Sequence, residues 1–189
     1  MTAQRISVKF FVDDAAAVDL PAFIPLFQRW IREGLVEGVP IDVANYAHVP
    51  NGPGIVLVGH EGDYALNMAE GRPGLRYTHK REWPTDDLAG RIQLTLTRGL
   101  AGVELLAQEN LISLDSGRFQ LAFYDQLRLP SVARVKEAVG VLFSEQYSVF
   151  SEQYSVVSEQ DDGKRPLTLE IELAQPLTAV AAPALAEVA

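Results

Sequence analysis

The chain opens with a strict two-residue alternation. In "RISVKFFVD" (5–13), Ile6, Val8 and Phe10 are apolar, and Ser7 and Lys9 between them are polar. Period two predicts a strand with one wet and one buried face. The period then lengthens. In "VDLPAFIPLFQRWIREGL" (18–35), Phe23, Phe27, Trp30 and Ile31 fall on one side of a helix, and Gly34 suits its end. Pro25 lacks an N–H and clashes with the preceding turn, so the helix proper begins near Ile24 or its first turn is irregular.

A strand-rich block follows. "IDVANYAHV" (41–49), the turn "PNGP" and "GIVLVGH" (54–60) read as a hairpin, because Asn-Gly between two β-rich runs is a strong turn signal. A register centred on that turn puts His48 opposite Ile55 and Val43 opposite His60. "IVLV" is apolar on both faces and is expected in the middle of the sheet. "DYALNM" (63–68) and "LRYTHKREW" (75–83), joined by "AEGRPG", form a second predicted hairpin with His79 opposite Tyr64.

Segment 84–110 has two periods at once. "IQLTLT" alternates like a strand, but Leu88, Ile92, Leu96, Leu100 and Val103 hold helical spacing throughout. Thr85 suits an N-cap, with Asp86 and Asp87 in the electropositive first turn. A helix is predicted, although Gly90, Gly99 and Gly102 weaken it by up to ~1 kcal/mol each in its interior. "LISLDSGRFQLAFYDQL" (111–127) reads as a hairpin turning at Asp115–Gly117, and a helix starts at Leu129-Pro130-Ser131. A seven-residue repeat comes next: "SEQYSVF", "SEQYSVV" and "SEQDDGK", starting at 144, 151 and 158. The favoured reading ends the helix near 151 and makes "YSVVSEQ" a strand that turns at "DDGK" into "RPLTLEIELA" (165–174). A heptad inserted into a helix rotates its apolar face by only ~20°, so a duplication here is easily tolerated.

The predicted order is β-α-β-β-β-β-α-β-β-α-β-β. It implies an α+β domain over 1–174, with a largely antiparallel sheet and helices packed on one face. Only the first β-α-β step offers a parallel pair. Residues 175–189 form an Ala/Pro-rich tail, flexible or docking to a partner.

Composition narrows the function. With 189 residues, 48% apolar, the chain can bury a sizeable core. It has no cysteine, which removes thiolate catalysis, disulfides and Cys-held metals. Net charge is −9, and residues 144–189 carry −6 of it. That balance argues against nucleic acid and anionic membrane as partners. No run of ~20 apolar residues suggests membrane insertion, and a cytoplasmic setting is expected. No phosphate-binding loop, dinucleotide fingerprint or nucleophile elbow is present.

The polar residues that remain are Asp42, His48, His60, Glu61, Asp63 and His79. His48 and His60 lie ~20 Å apart along the predicted hairpin, too far to share a metal. His60, Asp63 and His79 are the catalytic candidates: a bulge at Gly59 and Gly62 would bring them together as an acid–base pair or a borderline metal site. The alternative is ordinary sheet-edge hydrogen bonding, and no resident metal or cofactor is expected. A second feature is basic: Arg72, Arg76, Lys80 and Arg81 form an anion or partner patch, or else solvated charge that blunts a sheet edge.

The block "IDVANYAHVPNGPGIVLVGHEGDYALNMAEGRPGLRYTHKR" resembles a family of uncharacterised bacterial proteins of similar length. In them a His–Pro–x–Gly–Pro–Gly run precedes Gly–His–Glu; here the first reads "HVPNGPG", with a valine intervening. "FQLAFYDQLRLP" followed by a helix fits the same pattern, with Tyr124-Asp125 where an Asn-Asp pair is more usual. The resemblance covers about half the chain and carries no activity, catalytic residue or cofactor. It implies a bacterial cytoplasmic setting. The expectation is a non-catalytic accessory or protein-interaction protein, such as a subunit of a larger assembly, with a protein partner or self-association. The alternative is a small-molecule or metal-dependent enzyme using the His60/Asp63/His79 end of the sheet.

Overall fold

The alternation of the first segment becomes the central organising strand of the fold. The structure is a computed structural model that describes residues 4–125, 130–145, 154–161 and 165–177. Strand β1 (Ile6–Val12) buries Ile6, Val8 and Phe10 completely. It pairs antiparallel with β5 (Gly74–His79) on one side and β6 (Leu114–Phe123) on the other. The remaining strands are β2 (Pro40–Tyr46), β3 (Gly54–Gly59), β4 (Gly62–Asn67), β7 (Tyr154–Gln160) and β8 (Leu167–Leu173). Together they make one sheet in the order β2-β3-β4-β5-β1-β6-β8-β7, and every described pairing is antiparallel.

There are three described helices, α1 (Phe23–Glu33), α2 (Leu88–Glu109) and α3 (Val132–Glu145): α1 and α2 pack against the sheet, and α3 packs on α2 and stacks Phe143 on Tyr154 of β7. Phe23, Phe27 and Trp30 of α1 are fully buried, and the Trp30 ring meets Tyr64 of β4 edge-on at 5.9 Å. Pro25 occupies the first turn of α1, where its missing N–H has no helical partner to lose. Helix α2 lies on β1 and β5. The register fixes which residues face the helices: Leu57, Tyr64, Tyr77, Val8, Leu121 and Leu169 form one continuous row across six strands. This row and its neighbours make the core. The α+β architecture, with helices on one face of an antiparallel sheet, agrees with the pattern of the sequence.

Several local expectations fail for identifiable reasons. The described part of the predicted hairpin, residues 111–125, holds one strand and no chain reversal. Asp115–Gly117 is part of an irregularity inside one long strand: Phe10 pairs with Phe119 but Phe11 pairs with Asp115, so three residues of β6 bulge out. The Asp115 side chain accepts from Gly117 N at 2.8 Å, which stabilises a local kink rather than a chain reversal. The first hairpin is displaced by three residues. Tyr46 pairs with Gly54, because two turns in series (Tyr46–Val49 and Val49–Gly52) lengthen the loop. Asn51 sits at φ 53 within it. An odd displacement exchanges the two faces. The second hairpin is displaced by two, so His79 lies opposite Gly62 and not Tyr64. Strand β3 is next to the sheet edge, with Val56 and Val58 only partly buried. The N-cap of α2 is Asp87, whose carboxylate accepts from Gly90 N; Thr85 Oγ1 instead accepts from Asp87 N. The β-α-β step makes no parallel pair. "YSVVSEQ" is the strand predicted, while the helix end near 151 lies outside the described residues, as does the tail beyond Leu177.

Candidate functional site

The face of the sheet away from the helices is polar. It carries the residues that alternate with the core: Ser7 and Lys9 on β1, Arg76 and Thr78 on β5, Asp63, Ala65 and Asn67 on β4, Gln120 and Ala122 on β6, Thr168 and Glu170 on β8. Their registers align Ala65, Arg76, Lys9, Gln120 and Glu170 in one row across five strands. Lysine and arginine are therefore direct cross-strand neighbours in the middle of the sheet. Like charges in that position repel.

Lys9 is 4% exposed. Its Nζ donates to Asn67 Oδ1 at 3.0 Å and to the Ala69 carbonyl at 3.3 Å. Burial, then the positive charge of Arg76, hold its pKa down to about 8; Glu70 pulls the other way and Arg72 adds to the depression. Arg76 makes no hydrogen bond or ion pair among the described residues, and its Nε is shielded from solvent with no acceptor. The two side chains open into a pocket of about 200 Å³, with Asn67, Glu70, Gln120 and Tyr124 among its walls.

Beside this pocket lies a satisfied ion cluster. Glu170, 5% exposed, accepts a two-pronged contact from Arg72 (2.8 Å and 2.8 Å) and a third from Arg118 at 2.5 Å. The Arg72 hydrogen bonds, with help from Arg118, hold the Glu170 carboxyl below the usual range against the effect of its burial. The Arg72 guanidinium also stacks over the Phe11 ring, 3.8 Å from its centre.

The predicted site residues end up in different places. Asp63 lies opposite Thr78, on the open face, whereas His79 follows on the helix face. Asp63 accepts from Gly59 N at 3.1 Å and pairs with Lys80 at 2.7 Å. His79 is buried against Trp83, ring centres 4.1 Å apart, and its Nδ1 is 2.9 Å from the Tyr77 hydroxyl. Burial lowers the His79 pKa, partly offset by the backbone at Arg81 and Glu82. His60 points outward, 3.7 Å from the Glu82 carboxylate. His48 sits on the exposed β2–β3 loop near Tyr46, and Asp42 is exposed and bonds its neighbour Val43 N. Among the described residues no three His, Asp or Glu side chains gather to hold a metal.

The basic patch divides in the same way. Arg72 is taken by Glu170 and Lys80 by Asp63, while Arg81 is exposed beyond the end of β5. Arg76 alone faces the pocket. Lys9, Asn67 and Glu170 were missed by sequence reasoning. The available signal was Lys9 itself: a lysine between Val8 and Phe10 in the strand with the cleanest alternation. No family model matches the chain, and no curated protein is similar to it.

Proposed function

We propose that the chain is a non-catalytic accessory protein that acts by binding, with the open face of the sheet as its working surface. One observation supports this reading. The central strands place a buried lysine directly beside an arginine, on the face opposite the described helices. Such a pair costs folding free energy, and departures of that kind from local preference concentrate at functional sites. The enzyme alternative lacks a comparable observation, since His60, Asp63 and His79 each take a different partner.

The test is a melting-temperature screen of the full chain against neutral and anionic small molecules. Amide chemical shifts then map any compound that raises the midpoint. The expected shifts cluster on β1, β5, β6 and β8 around residues of the open face. Shifts confined to α1, α2 and α3 would remove the reading.

A second reading, a protein partner or self-association, is favoured by the sheet edge. Val39, Ile41 and Tyr46, on or beside edge strand β2, are 57%, 60% and 43% exposed. An edge without lysine gatekeepers is a ready template for another strand.

A further inference from the structure

We infer that the pocket between Lys9 and Arg76 binds the carboxylate group of a small organic acid; this rests on the open-face reading above and gives it a ligand class.

An ammonium has three protons. Two of those on Lys9 are committed to Asn67 Oδ1 and the Ala69 carbonyl, which leaves one for a ligand. Arg76 has none of its donors engaged among the described residues, and its Nε is buried. Of the described residues with a buried side-chain atom lacking a partner, Arg76 is the one that borders this pocket. The two cations are adjacent in register, so one anion between them satisfies both and removes their mutual repulsion.

The chemistry of the walls selects the kind of anion. The floor of the pocket is sheet, whose N–H groups are spent on neighbouring strands. No α-helix N-terminus, a common means of holding phosphate, is among its described walls. The donors come from side chains, and the planar guanidinium fork of arginine matches the two oxygens of a carboxylate. Glu70 on the wall disfavours a second negative charge. Arg165 is also among the walls, at the β8 side. Gln120 and Tyr124 offer hydrogen bonds to a polar substituent, and Ala122 and Pro166 offer apolar contact.

Sodium acetate, lactate, succinate and benzoate, with inorganic phosphate as the contrast, are titrated into the full chain at fixed ionic strength and followed by amide shifts. At least one carboxylate is expected to saturate with shifts at Lys9, Arg76 and Gln120. Arg76→Gln should weaken it tenfold or more, Arg76→Lys less, and Arg81→Gln not at all. Lys9→Met, close in volume, provides the same test if Arg76→Gln fails to fold. The inference is overturned if no carboxylate approaches saturation by about 10 mM, which means a Kd above about 1 mM, if phosphate alone binds, or if neither variant changes the affinity. Saturable binding that shifts Phe11 and Arg118 but not Arg76 overturns the carboxylate pocket and leaves the open-face reading standing. Shifts on the helix side alone overturn both.

Discussion

Lys9 pays for its position. Its pKa is about 8 when folded against 10.5 when free, so the folded state resists its charge. For a cation whose folded pKa is lowered, the penalty is complete below the folded value. It disappears as pH rises toward the unfolded value. That penalty is at most about 3 kcal/mol at pH 7. Lys9→Met should therefore stabilise the protein by about 1–3 kcal/mol at pH 7 in urea unfolding. The wild-type protein should gain stability between pH 8 and 10.5, and the variant should not. Asn67 Oδ1 keeps its contact with Ala69 N in the variant, so no acceptor is stranded. Glu170 has the opposite sign. Its folded pKa is lowered from 4.5, so it contributes stability above that value, which is lost as pH falls through the folded pKa. Glu170→Gln leaves Arg72 and Arg118 facing each other. Because both arginines are about 40% exposed, the cost is about 1–3 kcal/mol rather than that of a fully buried pair. Denaturation of the variant should show less loss of stability below pH 4.5 than the parent.

The glycines of α2 show what periodicity hides at the level of elements. On propensity alone Gly99 and Gly102 weaken the helix. In the fold they let it approach the sheet: a Cβ at Gly99 would lie 2.4 Å from Val8 Cγ1, and one at Gly102 would lie 2.8 Å from the Tyr64 ring. Gly99→Ala should gain up to ~1 kcal/mol in helix propensity and lose more to overpacking, a net destabilisation of about 1–2 kcal/mol by urea unfolding. Element types were legible wherever one period ran unbroken, as in β1, α1 and β8. Registers were not. The β2–β3 loop is longer than its Asn-Gly pair suggests, and the side chain of Asp115 mimics a turn inside a strand. The candidate site suffered most, because a site depends on which strands become neighbours. Lys9 and Arg76 are 67 positions apart in the chain, and nothing local announces their pairing.

At the scale of the whole molecule, the single sheet leaves two edges, and β2 is the apolar one. Val39, Ile41 and Tyr46 are exposed there, whereas β7 at the other edge exposes Val157 among polar residues. Self-association, where it occurs, should therefore use β2. Sedimentation equilibrium should show concentration-dependent association that Ile41→Lys abolishes with a stability change within about ±0.5 kcal/mol. Equal association of parent and variant would rule this edge out. No helix among the described residues is long and apolar enough to cross a membrane.

The parity of β1 has a genetic consequence. Substitutions at Ser7 or Lys9 alter the open face, and those at Val8 or Phe10 alter the core, so selection can act on either set while sparing the other. Deletions lack that freedom. Loss of one residue between Ile6 and Phe10 would turn part of the strand over, sending a lysine toward α2 or a core side chain into the pocket. Point substitution is therefore the route by which this face can acquire a new ligand, and the length of β1 should stay fixed while its odd-numbered positions drift.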